Sequence, residues 1–298
     1  MDTQQIMGLT LVPVALLGFF CNLTIFLVLF RIKSFNPSFS ILMATTAAID
    51  CCGSALFSFY VTPMIVLNLT PLKLYSYHCG FLLMLTYDTF LNLHILTVLN
   101  RFLAVWTPMA YKTVFNVKNT KLLVFIAIFL SFSILGTFFP ILGCQQMYTD
   151  EDGMFHYSKQ PICRWYADNL DVKKLFSIAW IGIALNLTVV LKVRKIRQKV
   201  NREHTSVVHK KKEMDFLKQT FCQGLYLFLF STGGIFITFF AFSQVAVFLL
   251  TNFYWCCLHT SDGLFVIMFN SEIREAIGGR RGQKKTSSSI AVKTRFSI

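Results

Sequence analysis

Three carboxyl groups stand inside long apolar runs of this chain and are its first candidates for chemistry. They are Asp50, Asp88 and Asp262, and each belongs to a different run. An ionisable side chain in the hydrocarbon core of a bilayer costs about 2.5–3.5 kcal/mol on insertion scales and usually faces a polar interior. Because no single helix face carries paired acids or a histidine cluster, nothing indicates an intramembrane enzyme. We expect no catalytic residue, no metal and no cofactor.

A second candidate group occupies the outer and middle part of one apolar run and consists of Tyr87, Asp88 and Asn92. Asp88 and Asn92 are four residues apart and therefore share a helix face. Asp88 lies about 20 Å of helical rise above Arg101, a depth at which a pocket between helices can exist. We predict that these side chains contact a ligand, with Trp165 of an outer loop contributing to a lid. The alternative for Asp88 is an interhelical hydrogen bond.

The composition assigns these residues to a membrane protein. Of the 298 residues, 55% are hydrophobic and 14% are charged, and the mean hydropathy is +0.58. A soluble domain of this length is far less apolar. The net charge of +14 would favour nucleic acid binding in a soluble protein, but the Lys and Arg residues cluster between the apolar runs. We interpret them as cytoplasmic loops facing an anionic lipid leaflet, with no nucleic-acid partner.

The number of membrane spans follows from the apolar run between Lys218 and Glu272. It holds 53 residues with Asp262 as its one charged side chain, and Lys- and Arg-rich segments adjoin both ends. At about 1.5 Å per residue it is too long for one crossing of a bilayer core of about 30 Å. Because both flanks are expected in the cytosol, the run crosses twice. The same reasoning predicts seven spans in all, at about 7–30, 38–66, 79–101, 122–142, 172–192, 216–240 and 245–269.

The positions of the basic residues predict the orientation. Of the 28 Lys and Arg residues, 23 fall in segments assigned to the inside and 5 in segments assigned to the outside. The expected fold is therefore an all-α bundle of seven transmembrane helices with the N-terminus outside and the C-terminus inside. A six-span arrangement is the alternative, because lysines stand at both ends of the fifth span. The receptor domain, residues 1–278, is expected to end in a short amphipathic eighth helix at about 270–278. A disordered basic tail would follow at 279–298.

The strongest local motif lies where the third span meets the cytosol. The segment resembles the signature D/N-R-Y/F-x-A-V-x-x-P-x-x-Y of rhodopsin-like receptors, matched at Asn100, Arg101, Phe102, Ala104, Val105, Pro108 and Tyr111. This resemblance implies a G-protein-coupled receptor in which the coupling site and activation switch consist of Asn100, Arg101, Phe102, Pro108 and Tyr111. Asn22 and Asp50 likewise resemble the paired Asn and Asp of that family. We predict an intramembrane polar network of Asn22, Asp50, Asp262 and Asn270, with isolated structural roles as the alternative for the acids.

More narrowly, the chain resembles the nematode class-x serpentine chemoreceptors, the Srx family, over about residues 8–276. Besides the motif above, the resemblance rests on Arg31-x-x-Ser34, Pro63-Met64, Gly143-Cys144, Ser261-Asp262-Gly263 and Phe269-Asn270-x-x-x-Arg274. It implies a plasma-membrane receptor for an odorant or other small chemical ligand, located in the cilium of a sensory neuron and acting on a heterotrimeric G protein. The alternative is an ion-channel or transporter subunit, but the sequence lacks the internal repeats that many transporters carry.

Two departures from the rhodopsin-like pattern change what can be expected. Asn100 stands where an acid is usual, so the neighbouring ion pair to Arg101 is missing, and we predict a weaker lock on the inactive state. Asp262-Gly263 stands where Asn-Pro is usual, so the hinge of that helix does not carry over. No Lys occurs between residues 245 and 270, which excludes a retinal Schiff base in the seventh span.

The nine cysteines predict one disulfide. Six of them fall within predicted spans, whereas Cys79, Cys144 and Cys163 lie at the outer face, which is oxidising. We expect Cys163 to be bonded. The rhodopsin-like resemblance implies Cys79 as its partner, and Cys144 would instead close the outer loop on itself. The sequence leaves both pairings open.

Overall fold

A computed structural model describes residues 2–30, 32, 36–151, 153–200, 218–219, 221–233 and 243–278 of the chain. Within these ranges the protein is almost entirely helical. Much of the basic loop after the predicted fifth span, the later part of the predicted sixth span and the predicted tail at 279–298 lie outside the described residues. The motif residues Arg31 and Ser34 also lie outside them.

The described elements include twelve α-helices and one β-hairpin. The helices are α1 Thr3–Leu29, α2 Pro37–Leu56, α3 Thr62–Val66, α4 Thr70–Leu74, α5 Ser76–Trp106, α6 Pro108–Val114, α7 Val117–Gly136, α8 Pro161–Tyr166, α9 Lys173–Val200, α10 Gln244–Phe248, α11 Tyr254–Phe269 and α12 Ser271–Ile277. Residues 221–233 are also helical. Wider π-helical turns join α2 to α3, α8 to α9 and α10 to α11 and extend α7, at Phe57–Val61, Ala167–Val172, Leu249–Phe253 and Thr137–Ile141.

Several of these helices combine into rods that can cross a bilayer. Within the described residues, five are long and apolar enough: Thr3–Leu29, Pro37–Val66, Ser76–Trp106, Val117–Ile141 and Pro161–Ile196. They occupy the places of the first five predicted spans. A further rod runs from α10 to α11 and carries His259, Ser261 and Asp262 among apolar residues. The short helix α12 follows it, at the place of the predicted eighth helix.

Local sequence signals explain where several helices begin. Asp2 caps α1, because its carboxylate accepts from Gln5 N at 2.8 Å. In return, Asp2 N donates to the side-chain oxygen of Gln5. This reciprocal pair satisfies two of the free N–H groups at the helix start. Asn36 caps α2 by accepting from Ser38 N, with Pro37 in the first helical turn, and Asn116 caps α7 by accepting from Asn119 N. Short polar side chains followed by a helix-compatible residue are typical of such starts.

One end of the bundle gathers the chain start and the β-hairpin, and we call it the hairpin end. Gln5 of α1 donates to the carbonyl of Val66 at 3.1 Å. Gln244 of α10 donates to the carbonyl of Asp150, the residue in the hairpin turn, at 3.1 Å. Lys73 forms a salt bridge with the same Asp150 at 2.5 Å. The starts of α1 and α10 and the loops after α3 and β1 therefore lie together.

The opposite end carries the turn after α5, and we call it the Arg101 end. Ser38 at the start of α2 donates to the carbonyl of Phe115 at 2.5 Å. Ile273 of α12 is fully buried and packs in one cluster with Ile25 and Leu29, near the end of α1. The first helix therefore starts at the hairpin end, whereas α12 lies at the Arg101 end.

The hairpin consists of two short antiparallel strands, β1 Gln146–Thr149 and β2 Met154–Tyr157. Gly153 in the connecting turn has a φ of +68°, a conformation that glycine adopts without steric cost. A disulfide between Cys144 and Cys163 closes the loop that contains the hairpin, with Cα atoms 5.0 Å apart. Of the two pairings left open by the sequence, the one implied by the rhodopsin-like resemblance is therefore wrong. Cys79 is a buried free thiol.

The hairpin packs directly on the first turns of α5. Tyr148 N donates to the hydroxyl of Ser76 at 3.0 Å, which fixes β1 to the helix start. A Cβ on Gly80 would lie 2.4 Å from the carbonyl oxygen of Gln146, closer than any real contact. Glycine at position 80 is thus required for this approach of strand to helix. The hairpin consequently covers the hairpin end of the bundle.

Candidate functional site

Arg101 belongs to a buried chain of hydrogen bonds that connects three helical segments. Its two terminal guanidinium nitrogens each donate to Gln223 Oε1 at 3.5 Å. Gln223 lies in the helical segment 221–233, and its Nε2 donates to Asp262 Oδ1 of α11 at 2.6 Å. The amide of Gln223 therefore links a cation on α5 to a carboxylate on α11, with one hydrogen-bonding atom for each.

The guanidinium of Arg101 is enclosed by protein. The residue is 6% exposed, and the guanidinium carbon lies 5.7 Å from the centre of the Phe39 ring. An aromatic face at this distance attracts a cation. A buried charge persists only when such partners offset the loss of water. The arrangement thus depends on the neighbours of Arg101 on α2, α11 and the segment 221–233.

The other residues of the predicted switch lie around the same turn of the chain. Asn100 is buried beside Arg101, and Phe102 stacks on Trp106 with ring centres 5.9 Å apart. Pro108 stands in the first turn of α6, where its missing N–H costs nothing. Burial raises the pKa of the Tyr111 hydroxyl, and the nearby side chain of Asn100 acts in the opposite direction. The two ends of the motif therefore lie close together across the α5–α6 turn.

The predicted polar network forms around a residue that the sequence reasoning did not include, His259. Asn22 Nδ2 donates to the carbonyl of His259 at 2.8 Å and to that of Gly18 at 3.0 Å. The imidazole Nδ1 of His259 lies 2.9 Å from Asp50 Oδ1, and both side chains are fully buried. One residue of α11 thus joins Asn22 of α1 to Asp50 of α2.

Asp262 reaches this network through a small polar cavity near Arg101, which we call the Arg101 cavity. Its volume is about 30 Å³. Eight polar residues line it: Asn22, Thr46, His94, Thr97, Arg101, Gln219, Gln223 and Asp262. Gly263 allows α11 to approach Asn22 of α1 closely, because a Cβ at position 263 would lie 2.4 Å from Asn22 Oδ1. The structure thus brings Asn22, Asp50 and Asp262 into one polar region.

Asn270 has another function from the one predicted. Its Oδ1 accepts hydrogen bonds from the backbone N–H groups of Glu272 and Ile273, at 3.1 and 3.2 Å. These are free donors of the first turn of α12, so Asn270 is the N-cap of that helix. We therefore remove it from the buried network.

Asp88 and Asn92 form an interhelical contact at the middle of the bundle. Asp88 Oδ1 pairs with the ammonium of Lys174 on α9 at 2.6 Å. Asn92 Nδ2 lies 3.3 Å from the other carboxylate oxygen of Asp88 and donates to Ser131 Oγ on α7 at 2.8 Å. Both predicted ligand contacts are thus engaged with neighbouring helices, the alternative named for Asp88. Lys174 is one of the lysines at the ends of the fifth predicted span that made six spans the alternative, and its charge is paired here with Asp88.

A larger cavity of about 210 Å³ lies beneath the hairpin, and we call it the hairpin-end cavity. Tyr87 is the one predicted ligand residue in its wall. Its other lining residues come from α5, the hairpin, the α8–α9 connection, α9, segment 221–233 and the α10–α11 rod: Met84, Gln146, Met154, Phe155, Asp171, Leu175, Phe230, Leu250, Thr251, Asn252, Tyr254 and Trp255. A mostly apolar cavity with a few polar groups is typical of small-molecule sites.

The polar side of the hairpin-end cavity is centred on Asp171. Tyr157 of β2 donates its hydroxyl proton to Asp171 Oδ2 at 2.8 Å, and Tyr87 lines the same cavity. Burial raises the pKa of Tyr157 well above its usual value, and the nearby carboxylate raises it further. Tyr157 therefore stays protonated and remains a donor.

Trp165 lies away from this cavity. It is 50% exposed and stacks on Phe138 with ring centres 6.3 Å apart. The neighbouring Tyr166 points the other way and is buried against the same Phe138. The predicted contribution of Trp165 to a lid is therefore not supported, and the hairpin covers the cavity instead.

Four functional candidates escaped the sequence reasoning: Gln219, Gln223, His259 and Asp171. Gln219 and Gln223 had a usable signal, because two amides four residues apart in an apolar run mark one inward helix face. His259 stands three residues before Asp262 on the same face. Asp171 lies at the edge of the predicted fifth span and resembled an ordinary loop acid.

Comparison with known proteins agrees with this architecture. The sequence model of the serpentine type 7TM GPCR chemoreceptor family Srx matches residues 12–270. A curated protein of Caenorhabditis elegans, serpentine receptor class X 45, is 25% identical over 296 aligned positions, which cover 92% of this chain and 81% of the relative. The matched range spans the Arg101 motif, Cys144 and Cys163, and the residues that line both cavities. This family consists of receptors and not of enzymes, and the chain belongs to it: it is a membrane protein of the Srx family of serpentine chemoreceptors.

Proposed function

We propose that this chain is a seven-span receptor that binds a small chemical ligand at the hairpin end and activates a heterotrimeric G protein at the Arg101 end. The observation that carries the proposal is the buried chain from Arg101 through Gln223 to Asp262. It ties together three helical segments at the end where the motif of the rhodopsin-like receptors lies. A cation held in this way is available to a partner only when the segments separate.

The orientation is part of the proposal. The N-terminus, the disulfide-closed loop and the hairpin share one end, and α12 lies at the other. A disulfide forms in an oxidising compartment, so we assign the hairpin end to the outside. The Lys- and Arg-rich segments then lie in the cytosol, as the distribution of positive charge requires. A seven-helix bundle with an outer N-terminus satisfies both constraints.

Ligand binding would act by shifting a population. The structure describes a state in which Arg101 is enclosed, and activation requires a second state in which it is accessible. A ligand drives this change only by the difference in its affinity for the two states. The hairpin-end cavity suits such a ligand because its wall includes residues of α5, α11 and segment 221–233, the three segments that the Arg101 chain connects. Movement of these segments would therefore change both the hairpin-end cavity and the surroundings of Arg101.

The experiment that tests the proposal is expression in a heterologous cell with an odorant panel and a G-protein activation readout. Arg101→Ala should abolish activation by any agonist found while leaving ligand-dependent stabilisation of the receptor in place. Arg274→Ala is the matched control, because it removes an exposed arginine from the same end of the bundle. Agonist responses that survive in Arg101→Ala at equal surface expression would contradict the role of Arg101.

Location in the sensory cilium is the remaining part of the proposal. It rests on membership of a chemoreceptor family and on a ligand-sized cavity at the end assigned to the outside. A fluorescent fusion expressed from the native promoter tests it directly. Fluorescence confined to internal membranes, in cells that process other receptors normally, would contradict it.

A further inference from the structure

Beneath the hairpin, the cavity wall combines one carboxylate with several aromatic rings. Asp171 is the carboxylate, and it makes no salt bridge with any residue that the structure describes. Within the described part of the chain its charged neighbours are Asp88 and Lys174, which pair with each other at 2.6 Å. With all three groups ionised, this cluster keeps one negative charge that no cation of the cluster balances.

A hydroxyl group is already directed at Asp171. Tyr157 donates a hydrogen bond to the carboxylate at 2.8 Å, and Tyr87 lines the same wall. Burial disfavours the charge of a carboxylate, and a donor directed at it opposes this effect. The two phenols are held by the surrounding packing: Tyr157 contacts Tyr166 edge-to-face, and Tyr87 contacts Trp255 edge-to-face, with ring centres 5.7 and 5.9 Å apart. A cationic ligand would add the charge that offsets the burial of Asp171.

A second acceptor stands in the same wall. Gln146 of β1 is 6% exposed, and its side-chain oxygen has no hydrogen-bond partner among the described residues. An unsatisfied buried acceptor is costly, and native structures usually give it a donor. The backbone position of Gln146 is fixed by the close packing of β1 on Gly80. An N–H donor entering the cavity would satisfy this oxygen.

Five aromatic side chains complete the wall: Tyr87, Phe155, Phe230, Tyr254 and Trp255. Aromatic faces attract organic cations, and cages of such rings are the usual means by which proteins recognise ammonium groups. The volume of about 210 Å³ also limits the ligand. A cavity of about 150 Å³ holds benzene, so this cavity suits a molecule of roughly ten non-hydrogen atoms.

We propose that the ligand is a small organic amine that binds as a cation, with its ammonium group on Asp171 and Gln146 and its apolar part against the rings of Tyr87 and Trp255. This inference rests on the proposed receptor function and adds the chemical class of the ligand. A purely apolar ligand fits this cavity less well, since it would leave Gln146 unsatisfied and the charge of Asp171 unbalanced.

The test compares matched amines and alcohols on the purified receptor in detergent. Benzylamine and 2-phenylethylamine should raise its Tm in a concentration-dependent manner, because a ligand that binds only the folded state stabilises it. Benzyl alcohol and 2-phenylethanol have the same size but no charge. Their affinity should be at least about tenfold lower than that of the amines. This comparison uses the unmodified chain, so it does not depend on whether a variant folds.

A pair of charge-neutralising variants locates the site. Asp171→Asn should weaken amine binding by about 10–100-fold, whereas Asp168→Asn, an exposed neighbour in the same π-helical turn, should not change it. Equal binding of amines and alcohols, no binding of either amine, or unchanged amine binding in Asp171→Asn would each overturn the inference. Amine binding without any G-protein activation would leave the ligand class intact and count against the proposed coupling.

Discussion

Replacing Gln223 by Leu should raise the basal activity of the receptor. The substitution nearly keeps the side-chain volume but removes the amide that accepts from Arg101 and donates to Asp262. Both charged groups then lose a buried hydrogen-bonding partner. Only the state with Arg101 enclosed contains this bridge, so its loss destabilises that state relative to the active one. The equilibrium between the two states shifts accordingly.

The geometry gives the size of the effect. A hydrogen bond to a charged group contributes about 1.5–3 kcal/mol. The Arg101 contacts, at 3.5 Å, are at the long limit of such bonds, whereas the Asp262 contact, at 2.6 Å, is short. We therefore count mainly the second bond and expect a loss of about 1.5–3 kcal/mol. At about 1.4 kcal/mol per factor of ten, basal activity should rise about tenfold or more before it saturates.

The assay is agonist-independent G-protein activation, normalised to receptor at the cell surface. Gln219→Leu is the matched control, because Gln219 lies one turn earlier and lines the same Arg101 cavity but takes no part in the bridge from Arg101 to Asp262. Its basal activity should stay within about twofold of the unmodified receptor. Unchanged basal activity in Gln223→Leu, or an equal rise in Gln219→Leu, would refute the assignment of the bridge as the inactive-state lock.

Two further predictions follow from the Arg101 motif and the disulfide. Asn100→Asp supplies the missing neighbouring acid and should lower basal signalling several-fold, since an adjacent carboxylate stabilises the enclosed arginine; unchanged basal output would contradict this. Cys163→Ser opens the disulfide to Cys144 and should lower the Tm of the receptor and its ligand affinity, because bridges of this kind typically contribute about 2–4 kcal/mol. Cys79→Ser, which alters only a buried free thiol, should leave the bridge intact and change ligand affinity far less; equal loss in both variants would argue against a role of the bridge in the hairpin-end cavity.

The sequence predicted the features that depend on length and hydropathy. Uninterrupted apolar runs have few structural options in a bilayer, so the first five predicted spans lie where long apolar helices occur. It also singled out Asn22, Asp50 and Asp262 as members of one polar network, because polar groups in such runs are confined to the interior of the bundle.

The partners of these residues could not be predicted in the same way. Whether Asp88 meets Lys174 or a ligand depends on the rotation of α9 relative to α5, and hydropathy contains almost no information on rotation. Asn270 shows a second limit, because capping depends on the direction of the chain after α11. The disulfide shows a third limit. Cys163 follows Cys144 by 19 positions in the sequence, and the hairpin between them brings the two sulfurs together.

A line of side-chain contacts between α5 and α11, which we call the seam, connects the hairpin-end cavity to Arg101. On α5, Tyr87 meets Trp255 with ring centres 5.9 Å apart, and one turn further Phe90 meets His259 at 6.2 Å. His259 in turn holds Asp50 at 2.9 Å.

The seam ends at the Gln223 bridge, where Asp262 follows His259 on α11 and is linked to Arg101 of α5. Under the proposed receptor function, a ligand that moved Trp255 away from Tyr87 would act on the two helices that the Gln223 bridge also links. Adjacent contacts by themselves do not measure coupling. They place the hairpin-end cavity and Arg101 on the same two helices, so a change in the separation of α5 and α11 would affect both sites.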